Sequence, residues 1–188
     1  MKIYLVDNFD SFTYNLVQAL SVHAEVRVHR NQYWHDADLA WADGIVISPG
    51  PGLPGTSGFL MRIVETYYGK KPILGICLGM QALGLHKGGE LINLPKVRHG
   101  LQRRVEVVEP GCLLNEILKP FEVGLYHSWA LKRVPSNFTL LAQDGAGIPM
   151  AMEDPENKAF ALQFHPESVM TSLGPRIIQN FLDQVRGV

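Results

Sequence analysis

The stretch Pro72–Gln81 has the sequence PILGICLGMQ, in which an apolar run passes without a spacer into a segment that can open a helix. The run Pro72–Ile76 is typical of a buried strand. The following Leu78–His86 is predicted to be a helix that ends near Gly88 and Gly89. A buried strand that leads directly into a helix indicates a parallel sheet covered by helices.

The rest of the chain extends this pattern. Further strands are predicted at Lys2–Val6, Glu25–His29 and Gly44–Ser48, with helices at Phe12–Val22, for which Asp10 or Ser11 is placed as the cap, and Phe59–Tyr68. The second half is richer in strands, at Val105–Val108, Phe121–Tyr126, Thr139–Gln143, Met150–Met152 and Ala159–Gln163, before a final helix from Pro175 to Val185. The predicted class is α/β: an open, mostly parallel sheet flanked by helices with an added antiparallel portion, in one domain over residues 1–188.

Composition narrows the functions open to such a domain. Of the 188 residues 46% are hydrophobic and 19% are charged, which is ordinary for a globular protein with a core. A formal net charge of −1 gives no electrostatic case for nucleic acid or an anionic membrane. The opening MKIYLVD lacks the pattern of a secretion signal, and no apolar run approaches the roughly 18 residues of a membrane span. A cytoplasmic location is therefore expected.

The first candidate for chemistry is Cys77, flanked two residues away on each side by Gly75 and Gly79. This is the spacing of a nucleophile elbow, in which small neighbours let a strand and a helix approach closely around a strained nucleophile. The helix N-terminus favours a thiolate and offers N–H groups to an oxyanion. The alternative is an inert buried cysteine, which is the simpler interpretation of Cys112.

A base and its orienting group are predicted at His165 and Glu167. Two residues apart in extended backbone, their side chains point the same way, and Pro166 favours that geometry. A cysteine nucleophile needs such a histidine, and the histidine needs a third group to fix its tautomer. His127 is the best rival, but it has Trp129 where a carboxylate is wanted.

The loop Ser48–Gly52, with sequence SPGPG, follows an apolar strand and exposes N–H groups at its glycines. Alone it is weak evidence, because Pro-Gly pairs are common in turns. Neither a GKS/GKT phosphate loop nor a GxGxxG helix start is present, so no nucleotide site is predicted. The two cysteines form no CxxC pair and no His/Cys cluster has zinc spacing, so no cofactor or metal is expected.

Together, SPGPG, GICLGMQ and QFHPES resemble the class I, or triad-type, glutamine amidotransferases, in the expected order over essentially the whole chain. The resemblance implies that Cys77 attacks the glutamine carboxamide while His165 and Glu167 act as base and orienter. It further implies an oxyanion hole formed by Gly50 and Leu78. The residues that it implies for substrate binding are Gly52, Gln81, Ser128 and Trp129.

Within that family, VDNFDSFTYNLVQ, YHSWAL and HPESVMT are similar to the branch that works with chorismate-using synthases. Its members are anthranilate synthase component II, for tryptophan, and the glutamine subunit of aminodeoxychorismate synthase, for folate. Overall similarity favours anthranilate synthase, and the folate enzyme or one subunit shared by both pathways is the alternative. The resemblance implies a hetero-oligomer with a chorismate-binding synthase subunit, and 188 residues leave no room for that second activity. Leu125 and Leu101 depart from the branch, which commonly has Arg and Lys there, and put details of the partner interface in doubt.

Two other functions remain open on the same scaffold. A γ-glutamyl hydrolase-like enzyme would be expected to lack Gln81 and the YHSW element, and both are present. A non-enzymatic regulatory relative would be expected to have lost part of Cys77, His165 or Glu167, and all three are present.

Overall fold

The computed structural model describes residues 1–187, which form one sheet with helices on both faces. The strands are β1 (Lys2–Asp7), β2 (Glu25–Arg30), β3 (Gly44–Ile47), β4 (Ile73–Ile76), β5 (Leu91–Val107), β6 (Phe121–Leu131), β7 (Thr139–Asp144), β8 (Pro149–Asp154) and β9 (Ala159–Leu162). Their order in the sheet is β2-β1-β3-β4-β9-β8-β7-β5-β6. The first five in that order are parallel and the remaining four pair antiparallel.

The helices are α1 (Thr13–Ser21), α2 (Asp36–Trp41), α3 (Leu60–Tyr67), α4 (Leu78–His86) and α5 (Gly174–Arg186), with a 3-10 turn at Pro54–Thr56. Within residues 1–187, none of them combines the length and apolarity needed to cross a membrane. The α/β class, with a mostly parallel sheet and an antiparallel portion, is confirmed.

Alternation along the strands divides the interior into two hydrophobic clusters, one on each face of the sheet. In β1, Ile3 and Leu5 belong to the cluster that contains the buried residues of α1 and α5. Their neighbours Tyr4 and Val6 belong to the cluster that contains the buried residues of α2, α3 and α4. Because successive strand residues point to opposite faces, the apolar run Ile3–Val6 inside β1 is what a sheet buried on both sides requires.

The largest difference from the predicted elements is β5, which runs from Leu91 to Val107 rather than only over Val105–Val108. Its pairing with β6 shifts register twice, between Asn93 and Arg98 and between His99 and Leu101. Most of the strand is exposed and it contains a proline and a positive-φ glycine. Bulges and exposure remove the regular apolar alternation by which a strand is detected in sequence.

The first helix begins at Thr13, one residue after its predicted start, but its predicted cap at Asp10 or Ser11 is wrong. Phe12 occupies the N-cap position of α1 without a side-chain capping bond. The Asp10 carboxylate instead accepts the N–H of Phe12 at 2.7 Å, just outside the helix.

The short helix α2 was missed because six residues with a single buried side chain, Leu39, show no helical periodicity.

Candidate active site

Cys77 lies at the turn between β4 and α4, in a backbone conformation that L-residues rarely adopt. Its φ and ψ are +51° and −99°, and its N–H donates to the Leu162 carbonyl of β9 at 2.7 Å. The thiol is free and the residue is 6% exposed. The neighbouring strand therefore holds a strained residue at the carboxyl end of the parallel strands, where α/β sheets bind ligands.

His165 and Glu167 follow β9, the strand that pairs with β4. Nδ1 of His165 lies 2.7 Å from Oε1 of Glu167, and the two side chains are only 2% and 0% exposed. The backbone N–H of His165 donates to the Gly124 carbonyl at 3.1 Å, which fixes the position of the ring. The other ring nitrogen, Nε2, is buried without a hydrogen-bond partner among the described residues, and this leaves it available to the thiol of Cys77.

The electrostatics of the pair favour a charged imidazole. Burial alone lowers the pKa of His165, but the Cys77 thiol and the Glu167 carboxylate raise it further than burial lowers it. The resulting pKa is about 10, so His165 holds a proton at neutral pH. An imidazolium in this position can serve as the counter-charge of a thiolate, the nucleophilic state of cysteine.

Three residues around the imidazole were not assigned to the site by the sequence analysis. The rings of Tyr126 and Phe12 pack on His165 at centroid distances of 4.8 and 6.1 Å. One side-chain oxygen of half-buried Asp10 also lies within 4.8 Å of ligating atoms of His165 and Glu167. Burial raises the pKa of Asp10, while the Phe12 N–H and the nearby His165 oppose that rise. The loop between β1 and α1 (residues 8–12), called the first loop below, therefore packs directly over the His165 imidazole.

The same loop fixes the glycine-proline turn. Asn8 donates its backbone N–H to Ser48 Oγ at 2.9 Å and its side-chain amide to the Ser48 carbonyl at 2.8 Å. A Cβ atom on Gly50 would lie 2.4 Å from the Asn8 carbonyl oxygen, so only glycine fits without a shift. The motif around Asn8, which the sequence analysis related to the chorismate branch, therefore also braces the predicted oxyanion loop.

A cavity of about 220 Å³ opens beside the thiol. Its lining brings together the sulfur-bearing residue and five of the predicted oxyanion and substrate residues, namely Cys77 with Gly50, Gly52, Gln81, Ser128 and Trp129. The sixth, Leu78, is the first residue of α4, where a backbone N–H has no intrahelical acceptor. The volume is below that of pockets for drug-sized molecules and suits a ligand of amino-acid size.

Part of the predicted substrate site is already used by internal hydrogen bonds. The Trp129 carbonyl lies 2.8 Å from Gln81 Nε2 and 3.0 Å from His127 Nδ1, so both of its lone pairs have donors. Burial lowers the pKa of His127 to about 4, which leaves that ring neutral at neutral pH. The Gln81 amide oxygen therefore remains for a ligand, whereas the Gln81 amide nitrogen is already used.

Gln163 contacts the nucleophile and was missed in the sequence. It is fully buried, and its amide nitrogen lies 3.5 Å from Cys77 Sγ. The available signal was its position two residues before His165, because alternate residues of an extended segment face the same side.

Two groups of side chains have the residue types of a metal site. In one, ligating atoms of His29, His35 and Asp38 lie within 4.8 Å of one another. The ring centroids of the two histidines lie 3.9 Å apart with a tilt of 35°, and the Asp38 carboxylate contacts both Arg27 and Nε2 of His29. The other group, Asp10 with His165 and Glu167, contains the hydrogen-bonded pair described above. In both groups, some of the ligating atoms therefore already have a partner within the protein.

The remaining cysteine and a second cavity carry no comparable chemistry. Burial raises the pKa of the Cys112 thiol, and the adjacent Glu153 carboxylate raises it further, which disfavours the reactive thiolate. A cavity of about 640 Å³ lies along β5 and is lined by apolar and basic residues and Asp144, without a cysteine or serine. The candidate active site is therefore the smaller cavity at Cys77.

Comparison with known proteins agrees with this site. The model of the family "Glutamine amidotransferase class-I" matches residues 4–185, and the chain belongs to that family, as its motifs predicted. It is 42% identical to "Anthranilate synthase component 2, pyocyanine specific" of Pseudomonas aeruginosa, over 97% of this chain and 93% of that protein. It is 38% identical to anthranilate synthase component 2 of Lactococcus lactis, over 97% of this chain and 94% of the relative.

Solved structures show the same fold. A Thermoplasma acidophilum protein assigned to GMP synthase superposes with a TM-score of 0.89 at 25% identity, covering 100% of this chain and 94% of its own. A glutamine amidotransferase of Thermotoga maritima gives a TM-score of 0.82 at 14% identity, over 98% and 97% of the two chains.

Proposed function

We propose that this chain is the glutamine-hydrolysing subunit of an anthranilate synthase and delivers ammonia to a chorismate-using partner subunit. The observation that carries the proposal is the strained Cys77 at the rim of an amino-acid-sized cavity, with the buried His165–Glu167 pair beside it. The pathway rests on relatives at 42% and 38% identity that are named anthranilate synthase component 2.

In the first half of the reaction, the Cys77 thiolate attacks the carboxamide carbon of glutamine and forms a C–S bond. The N–H groups of Gly50 and Leu78 stabilise the negative oxygen of the tetrahedral intermediate. The intermediate collapses as His165 gives its proton to the amine, the C–N bond breaks and ammonia leaves. A glutamyl thioester remains on Cys77.

In the second half, neutral His165 takes a proton from water, which attacks the thioester carbonyl. Collapse of this second intermediate breaks the C–S bond, releases glutamate and restores the thiolate beside the imidazolium. Glu167 holds the imidazole in one orientation throughout and stabilises its charged form.

Substrate selection follows from the free polar groups of the cavity. The Gln81 oxygen suits the α-ammonium group of glutamine, while N–H groups around Gly52, Ser128 and Trp129 suit its carboxylate. Neutral His127 adds no competing positive charge. No metal or cofactor takes part in this proposal, since each step needs only proton transfer and a thiolate.

The partner subunit is proposed to dock near the first loop. Phe9 and Tyr14 are 44% and 72% exposed, and the loop that carries Phe9 packs against the triad through Phe12. Exposed aromatic side chains are enriched at protein interfaces. Of the two residues that depart from the branch, Leu125 is fully buried in the core, so it acts through packing rather than partner contact. Residues 1–188 are proposed to act as one domain in the cytoplasm, where a reducing milieu preserves the Cys77 thiol.

The test combines the purified chain with chorismate and the chorismate-binding subunit of an anthranilate synthase, and measures glutamate and anthranilate. With glutamine as the nitrogen source, anthranilate should form only when the chain is present with Cys77 intact, and Cys112→Ala should behave as the parent. With ammonium salts, the partner alone should suffice. If glutamine is cleaved but no anthranilate forms, and the chain instead supplies ammonia to an aminodeoxychorismate synthase, the chain belongs to the folate pathway and not to the tryptophan pathway. If no glutamate forms with either partner, the proposal is wrong.

A further inference from the structure

We propose that Gln163 is a fourth catalytic residue, whose amide N–H donates a hydrogen bond to the Cys77 sulfur and stabilises its thiolate. The inference rests on the proposed role of Cys77 as nucleophile. It adds a neutral donor to a site whose other identified supports for the thiolate are the imidazolium and the helix N-terminus.

The contact is built into the interior of the fold. Gln163 is 0% exposed, and its Nε2 atom is 3.5 Å from Cys77 Sγ, within the range of hydrogen bonds to sulfur. A buried amide costs free energy unless its polar atoms have partners. The sulfur is the acceptor that the structure provides for this nitrogen, and a thiolate is a stronger acceptor than a thiol.

The orientation of the Gln163 amide follows from its neighbours. The Trp129 carbonyl can only accept, so the Gln81 side-chain atom 2.8 Å from it must be the nitrogen. That same nitrogen lies 3.5 Å from Gln163, which must therefore present its oxygen. The Gln163 nitrogen then faces Cys77. The carbonyl of Trp129 thus fixes, through Gln81, a donor that points at the sulfur.

The backbone holds this donor in place. Gln163 donates its N–H to the Met150 carbonyl of β8 at 2.8 Å, and its neighbour Leu162 accepts the N–H of Cys77 at 2.7 Å. Donor and sulfur are thus fixed by adjacent strands of one sheet. A donor that needs no rearrangement during the reaction stabilises charge more effectively than mobile water.

Gln163, His165 and Glu167 occupy alternate positions of one segment. Gln163 contacts the sulfur, and Glu167 holds His165. A single stretch after β9 therefore supplies the neutral donor, the base and the orienting carboxylate. Gln81 acts through Gln163 and is in this respect a positioning residue, while its oxygen remains available to the cavity.

The experiment measures the rate at which iodoacetamide alkylates Cys77 in the full chain as a function of pH, with the two cysteines resolved by peptide mass spectrometry. Gln163→Met keeps the approximate size of the side chain and removes the donor. We expect its alkylation midpoint to move to higher pH by about one unit, because a hydrogen bond to a charged group is lost. Below the midpoint the rate should fall about tenfold. Exposed Gln18→Met is the matched control and should leave the profile unchanged.

A second variant, Gln81→Met, tests the relay without altering the residue that contacts sulfur. It should move the midpoint in the same direction by a smaller amount, because the amide of Gln163 loses the partner that fixes its orientation. If Gln163→Met does not fold, an unchanged midpoint in Gln81→Met overturns the relay. If Gln163→Met folds and lowers stability without moving the midpoint, Gln163 is structural and the proposal is wrong.

Alkylation needs neither glutamine nor a partner, so the two proposals fail separately. If the parent chain hydrolyses no glutamine but Gln163→Met still shifts the alkylation midpoint, the Gln163 contact stands and the proposed function is wrong. If the parent chain hydrolyses glutamine but Gln163→Met leaves the midpoint unshifted, the proposed function stands and the role of this contact is wrong.

Discussion

Gly75 and Gly79 meet backbone to backbone across the turn that carries Cys77. A Cβ atom on Gly75 would lie 2.5 Å from both the carbonyl carbon and the carbonyl oxygen of Gly79. On the other side, a Cβ atom on Gly79 would lie 2.9 Å from the Ile47 carbonyl oxygen. The backbones of β3, β4 and α4 therefore approach closely at these two glycines, and this permits the sharp turn at Cys77.

Gly75→Ala should consequently damage the elbow. The added methyl group meets backbone that cannot rotate away, and overpacking of this kind costs about 1–3 kcal/mol of unfolding free energy. Chemical denaturation should show that loss, and glutaminase activity should fall with it. Gly145→Ala is the control, because nothing lies within 4 Å of its Cβ position. Equal stability of the two variants would contradict the close approach.

Glu167→Gln should reduce glutamine hydrolysis by at least about 100-fold in kcat with little change in KM, because the imidazolium loses its buried counter-charge. The effect is measured as glutamate release with the partner subunit present. Exposed Glu156→Gln is the control for removing a carboxylate elsewhere. A Glu167→Gln enzyme with the parent kcat would show that His165 needs no carboxylate.

The triad could be found in the sequence because each member has a local signature: glycines around Cys77, and a proline between His165 and Glu167. Gln163 has no such signature, since a glutamine does not titrate and its partner is 86 residues away. The strand β5 was hidden by its two register shifts. Local patterns thus predicted a candidate triad, whereas the contacts that orient its members depend on how distant strands meet.

The free energy of unfolding should depend on pH through His127. Burial holds its pKa at about 4 in the folded protein, below the unfolded value of 6.5, so the unfolded chain binds the extra proton between these values. Stability is therefore lost as the pH falls from 6.5 to 4. His127→Asn keeps a donor for the Trp129 carbonyl and should remove at most about 3 kcal/mol of this loss.

The measurement is urea denaturation of parent and variant at a series of pH values, compared as differences so that other titrating groups cancel. Exposed His23→Asn serves as the control and should follow the parent. If the difference in unfolding free energy between the parent and His127→Asn stays constant from pH 6.5 to 4, His127 is not held neutral by burial.

Gly50→Ala should lower kcat by roughly 100-fold, because the clash with Asn8 displaces an N–H group proposed to bind the oxyanion. Gly55 lies in the same loop region with open space at its Cβ position, so Gly55→Ala should retain the parent rate. Steady-state glutaminase assays compare the two. Equal rates would remove Gly50 from the oxyanion hole.

The most direct test of Cys77 as the nucleophile is covalent labelling by an electrophilic glutamine analogue. The chain is labelled with chorismate and the partner subunit present, and the adduct is located by peptide mass spectrometry. We predict one adduct, on Cys77, formed in step with the loss of glutaminase activity and slowed by glutamine, while Cys112 stays unmodified. An adduct confined to Cys112, or full glutaminase activity in Cys77→Ala, would contradict the assignment of Cys77 as the nucleophile.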